Sequence, residues 1–229
     1  MSLFDKLFGK KKEPIDIANE NNHPHIEEGE IIVATQSGDS YKAIRNLTQL
    51  QSEKLENSTI SIKTGQLYTH FWTEEPDPTD RADPEWQNKV MFFWKADEPF
   101  QKKSLPPFFE ELPSQYFFFQ GDTAKLAVRS GEATPWFGMP GLGEKHVVEI
   151  NNEMVTVPEL QQLGYVEYFE KIELTDKNLD LLTTNEQVFL HPINPLLEFD
   201  NGQFYFNNKP ISISDAYRIG ALILIKSIN

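Results

Sequence analysis

The chain has 229 residues, no cysteine and a formal net charge of −14. That length can bury a substantial core in one domain or two small ones, whereas the charge disfavours binding to nucleic-acid phosphates, which need clustered Lys and Arg. The lack of cysteine excludes disulfides, thiol nucleophiles and zinc–thiolate sites together, and no apolar run approaches the roughly eighteen residues of a membrane span.

Residues 1–24 read as an amphipathic arm and linker, with Leu3, Phe4, Leu7 and Phe8 at helical spacing ahead of Lys10–Lys12. Such an arm either docks on the domain and frays, or serves a membrane surface or a partner. Its charges follow its apolar residues, the wrong order for a secretory signal, so the expected location is cytoplasmic.

A strand is expected at Ile31–Val33, then a helix capped within Ser37–Ser40 and running to about Leu55, with Tyr41, Ile44, Leu47 and Leu50 on one face. Thr59–Thr64 and Leu67–Trp72 predict a hairpin turning at Gly65. The stretch from Glu74 to Glu85, rich in carboxylates and proline, predicts a solvated loop, because its spacing does not fit an EF-hand.

The apolar aromatic runs Val90–Trp94 and Tyr116–Phe119 predict buried strands. Lys145–Ile150 and Met154–Val157 flank Asn151-Asn152 as a hairpin, Pro158 opens a short helix ending at Gly164, and Tyr165–Leu174 is a further strand. Beyond residue 175, Asp200-Asn-Gly202 turns a hairpin between Leu196–Phe199 and Gln203–Phe206, and Ser214 caps a helix running to about Lys226. Together these signals predict an α+β fold with a mainly antiparallel, bent sheet, residues 25–175 forming the body and 176–229 adding a hairpin and helix.

The most unusual segment is Gly131–Gly143, which sets Trp136 and Phe137 among four glycines and two prolines. Glycines allow positive φ or close backbone approach and prolines fix φ, so the segment predicts a rigid loop of defined shape. Pro135 to Gly143 resembles, residue for residue, the Pro-Trp-Phe-Gly-x-Pro-Gly-x-Gly signature of the tuberculosis necrotizing toxin-like (TNT) NAD glycohydrolases. Leu105-Pro106-Pro107 upstream and Gly164-Tyr165 downstream are similar to further elements of that family, so the resemblance extends over about residues 104–172.

The resemblance implies cleavage of the bond between ribose and nicotinamide in NAD or NADP, in a bacterial toxin system. It also implies a glutamine in or just after the loop and a histidine on the preceding strand. Here Met139 and Lys145 stand at the glutamine positions, and Tyr116–Phe119 contains no histidine. The scaffold thus predicts weak or no catalysis.

Glu132, Glu144 and His146 are the nearby groups able to serve as acid or base. For substrate, Trp136 and Phe137 could stack, Gly138, Gly141 and Gly143 could bring backbone amides close, and Arg129, with Lys145 beyond the loop, could meet a phosphate. The same residues could instead simply hold a wide turn between two strands, and His146 could be an ordinary strand residue. The scattered histidines show no metal-ligand spacing, so no metal or cofactor is expected. The alternative to a glycohydrolase is a non-catalytic binding protein on the same fold, an immunity-like or regulatory partner for a cognate protein.

Overall fold

The computed structural model describes residues 45–72, 81–184 and 186–228, and the backbone alone of 32–34 and 41–43. The expected arm over 1–24 and the acidic residues 73–80 lie outside the described residues.

In chain order the first elements are β1 (Ile32–Ala34), β2 (Tyr41–Ala43), α1 (Gln49–Glu56), β3 (Tyr68–Phe71), α2 (Pro84–Val90), β4 (Phe93–Lys95) and α3 (Phe100–Lys103). Then come β5 (Ser114–Phe119), β6 (Ala127–Glu132), β7 (Glu144–Ile150), β8 (Glu153–Val155), α4 (Val157–Gln162) and β9 (Val166–Ile172). The last are α5 (Asp176–Thr184), β10 (Val188–Pro192), β11 (Leu197–Asp200), β12 (Gln203–Phe206), β13 (Lys209–Ile211), α6 (Ile213–Arg218) and β14 (Leu222–Ser227).

Nine strands form one antiparallel sheet in the order β10-β14-β9-β5-β3-β4-β7-β6, with β8 paired to β7. Smaller sheets join β1 to β2 and β11 to β12 and β13. The fold is therefore α+β and antiparallel, as the sequence predicts.

Strand alternation gives each side of the large sheet its own core. On one face Phe93, Phe117, Val148 and Tyr168 lie under Val157 and Leu160 of α4. On the other, Phe71 and Trp94 meet Leu105 and Phe109, and Phe118 and Phe169 meet Ile223 and Ile225. At the β10–β14 end, α1, α5 and α6 bring Leu55, Leu179, Leu182 and Ala216 against Leu190 and Leu224. Full burial of each such large side chain stabilises by roughly 1.5–3 kcal/mol.

Four expected elements differ. The helix expected up to Leu55 begins only at Gln49, because Thr48 and Gln51 close a capping box there, while Tyr41–Ala43 pairs with β1. Thr59–Ser61 is a short 3-10 turn, not a strand. The Ser58 hydroxyl donates to Leu55 O and that of Ser61 to Leu182 O, a local alternative to ladder bonding, and β3 pairs with β4 and β5 instead.

Pro84–Val90 is helical where a loop end and a strand start were expected: the Asp83 carboxylate accepts from Glu85 N–H and Pro84 occupies the first turn. The C-terminal helix is capped by Ser212 and ends at Arg218, Gly220 follows at φ 74°, and Leu222–Ser227 becomes a strand between β10 and β9. A short apolar run buried on both faces reads equally well as helix or strand. Helix α5 and strand β10 complete this end, unanticipated from the sequence.

The strands expected around Tyr116–Phe119, Lys145–Ile150 and Tyr165–Leu174, the helix opening near Pro158 and the hairpin at Asp200–Gly202 are all present. Asn151, Asn152, Asn201 and Gly202 take positive φ, as tight hairpins with the sheet's twist require. Among the described residues no helix is long and apolar enough to cross a membrane.

Candidate functional site

The register of β6 on β7 organises the site. Glu132 lies opposite Glu144, Ser130 opposite His146 and Arg129 opposite Val147. Alternation therefore puts Ser130, Glu132, Glu144 and His146 on one face, and Arg129, Lys145 and Glu149 on the other. Arg129 is paired there with Glu149 at 2.7 Å, and the Lys145 ammonium lies 3.9 Å from the centre of the Phe92 ring.

Between these strands the signature segment closes as a wide hairpin loop. Ala133 N–H donates to Gly143 O at 2.9 Å, and Leu142 N–H to Ala133 O at 2.8 Å. Gly141 N–H and Gly143 N–H reach the carbonyls of Gln101 and Lys102 in α3, at 3.3 and 3.0 Å. A Cβ on Gly141 would lie 2.5 Å from Ser104 Oγ and 2.6 Å from Ala133 O, and one on Gly143 would lie 2.7 Å from Lys102 O. These two glycines permit a close clamp of loop on helix. Gly138, by contrast, takes φ 74° in open space.

The clamp fixes the loop's outer edge. Met139 N–H donates to Trp136 O at 2.9 Å, Phe137 takes φ 52°, and the two rings lie 5.7 Å apart, tilted by 35°. Trp136 is 65% and Phe137 50% exposed, so the pair faces solvent.

Beside the loop, on the α4 side of the sheet, stands a polar cluster. Lys95 Nζ contacts Glu144 Oε2 at 2.9 Å; this hydrogen bond, and secondarily His146, hold the Glu144 carboxyl below its ordinary range. His146 is 5% exposed, its ring stacked on Phe93 at 5.3 Å and edge-on to Tyr68 at 5.6 Å. Burial pushes its pKa down, outweighing the upward pull of Glu144. Its Nδ1 lies 2.7 Å from Ser130 Oγ, while Nε2 has no hydrogen-bond partner and stands 3.8 Å from Glu144 Oε2.

A neutral imidazole in this position can accept the Ser130 hydroxyl proton at Nδ1 and present an Nε2–H toward Glu144. That is a hydroxyl–imidazole–carboxylate relay whose last link is open.

The structure thus brings Glu144 and His146 together, with exposed Glu132 across the register. It turns Arg129 to the opposite face and puts Trp136 and Phe137 at the loop edge. Ser130, Lys95 and Tyr68 join the cluster without having been expected. The alternation of β7 announces the Glu144–His146 pair, but only the strand pairing reveals its neighbours. Lys103 was also missed: burial pushes its ammonium down to about 8 against the opposing effect of Glu98, and it sits 5.5 Å from the Trp94 ring centre at the end of the clamping helix. Among the described residues no group of three or more His, Asp or Glu is arranged to hold a metal ion.

Residues 83–168 match the family described as tuberculosis necrotizing toxin. This TNT-like segment spans 86 of the 229 residues. It takes in α2, the clamp, the signature loop, Lys95, Ser130, Glu144 and His146, and it ends within β9. No curated protein and no solved structure matches the chain. The TNT-like segment supplies the β4-β7-β6 end of the large sheet with β8, together with β5 and the start of β9, whereas β3 and the β10–β14 end lie outside the matched residues.

Proposed function

We propose that the TNT-like domain is of the NAD(P) glycohydrolase type, belongs to a bacterial toxin system, engages the dinucleotide at the signature loop, and turns it over weakly or not at all. The observation that carries this reading is the clamped loop, which holds an exposed aromatic pair at the end of the same hairpin whose strands carry Ser130, Glu144 and His146. A rigid aromatic edge suits stacking on nicotinamide or adenine, because little ordering entropy is lost on binding.

Weak turnover follows from what surrounds that edge. Glycosidic cleavage passes through a cation-like transition state that needs groups aimed at the ribosyl centre. Met139 and Lys145 stand in place of glutamine, Lys145 lies over Phe92 on the far face, and His146 is enclosed between Phe93 and Tyr68. Loss of one transition-state group commonly lowers the rate by about 10²–10³. On this reading NAD or NADP is substrate, no metal or further cofactor takes part, and the reaction is cytoplasmic.

Incubation of the full chain with NAD and with NADP, followed by fluorescent measurement of the remaining dinucleotide, tests the reading. Binding in a calorimetric titration with little or no consumption is the expected result. Turnover at about 1 s⁻¹ or faster, the lower end of ordinary enzymes, would reject weak catalysis and make Glu132, Glu144 and His146 the first positions to substitute.

The exposure of Trp136 and Phe137 also favours a second reading, a non-catalytic immunity-like or regulatory protein that seats these rings in a partner. Absence of binding for both dinucleotides would select it.

A further inference from the structure

A cleft of about 380 Å³ lies where the turn before β3, the end of β4 and the segment joining β10 to β11 converge. Most of its lining falls outside the TNT-like segment. Gly65 shapes one wall at φ 111°, a conformation that side-chain-bearing residues rarely adopt, and Leu67, Leu197 and Phe199 make the wall apolar.

His191 lines this cleft and is only 2% exposed. Its Nδ1 lies 2.8 Å from Lys63 O, and a carbonyl can only accept, so Nδ1 carries the proton. Nε2 of the neutral ring is left with a lone pair and no hydrogen-bond partner among the described residues.

The charged residues lining the cleft are Asp97 and Glu198. Neither carboxylate has an ion-pair partner among the described residues. The nearby Lys63 ammonium does not line the cleft: it is bound to Glu167 and sits 4.1 Å from the centre of the Phe169 ring. The cleft thus combines two carboxylates, an imidazole acceptor and an apolar wall, with no lining cation.

We propose that this cleft binds an organic cation, an ammonium or guanidinium group on an apolar stem, whose N–H groups meet His191 Nε2 and the carboxylates of Asp97 and Glu198. Phe199 and Leu67 flank the stem. The pattern of acceptors is the complement of such a ligand, and a phosphate or carboxylate ligand would find repulsion in the same place. The cation is either a free small amine or guanidine, or the end of an arginine or lysine side chain on a peptide.

The proposal is tested on the full chain by calorimetric titration with n-butylguanidinium, with n-butylurea as its uncharged counterpart and acetyl-Ala-Arg-Ala-amide as the peptide arm, while NMR follows the His191 imidazole. Saturable binding of the cation, a shift of the His191 signals and no binding of the urea are expected. The exposed pair Asp97→Asn and Glu198→Gln, together, should weaken binding roughly fivefold without changing the melting temperature. His191→Gln should weaken it as well, and melting of that variant reports whether it folds.

Stronger binding of the peptide than of n-butylguanidinium would identify a basic protein segment as the source, and equal binding a free small cation. Equal affinity for the urea, unchanged affinity in the Asp97→Asn and Glu198→Gln protein, or no binding of either cationic probe would overturn the proposal.

Discussion

Trp136 illustrates how exposure separates ligand contact from core packing. A large aromatic buried in a core costs about 3–5 kcal/mol when truncated to alanine, because transfer free energy and a cavity term add. The Trp136 ring is 65% exposed, with its centre 5.7 Å from that of its neighbour Phe137. Trp136→Ala is therefore expected to alter stability by less than about 1 kcal/mol, in the range of ordinary surface changes, while removing the surface proposed to stack on the dinucleotide. Thermal melting paired with titration of NAD into both proteins checks this. A large drop in melting temperature would make the ring a structural member of the loop.

At the scale of elements, the β6–β7 hairpin depends on its clamp to α3 more than on its tip. Gly141 combines φ 64° with a Cβ position already occupied by Ser104 Oγ and Ala133 O, so both backbone strain and overpacking attend any side chain there. Gly141→Ala should destabilise by about 2–4 kcal/mol, lowering the melting temperature by roughly 4–16 °C. Gly138→Ala meets nothing within 4 Å and bears only the strain of its positive φ, about 1–2 kcal/mol. If the two variants melt alike, the clamp is not what holds the loop.

The same hairpin shows what a sequence can announce. Its glycines and prolines state a shaped loop directly, and the Asn-Asn and Asn-Gly turns name their own geometry because few other residues tolerate positive φ. Glu144 and His146 are readable as one face of a strand from their spacing. Ser130 and Lys95 are not, since their approach depends on register across the long Ala133–Gly143 connection and on β4 lying next to β7. Leu222–Ile225 could have extended the helix α6, and only the vacancy between β10 and β9 makes it a strand. His191 is silent in the sequence for the same reason: the other two segments that line its cleft lie more than ninety positions before it.

For the molecule as a whole, the sheet stores histidines in neutral form. His70 on β3 is 1% exposed, its ring stacked on Tyr168 at 5.5 Å, and its Nε2 and the Tyr168 hydroxyl are both buried without partners. Burial pushes its pKa down to about 4 from 6.5, against the upward effect of hydrogen bonds with the Lys89 and Phe71 backbone. Burial lowers His146 on β7 and His191 on β10 as well. Well above pH 6.5, at about pH 7.5 and higher, these imidazoles are neutral in both folded and unfolded chains and stability does not depend on them. As pH falls below 6.5 the unfolded chain binds protons that the folded sheet refuses, so stability falls progressively until the folded groups titrate, near pH 4 for His70. His70 alone then removes on the order of 3 kcal/mol. The lowered Glu144 carboxyl adds loss in the same direction at the acid end of this window. Urea midpoints measured from pH 7.5 down to 4.5 should decrease steadily below about pH 6.5, and NMR of the folded protein at pH 5.5 should still show the His70 ring neutral. Midpoints that hold constant from pH 7.5 to 5, or a His70 signal that titrates near 6.5, would mean that the ring is reached by water and that the core around Tyr168 is open.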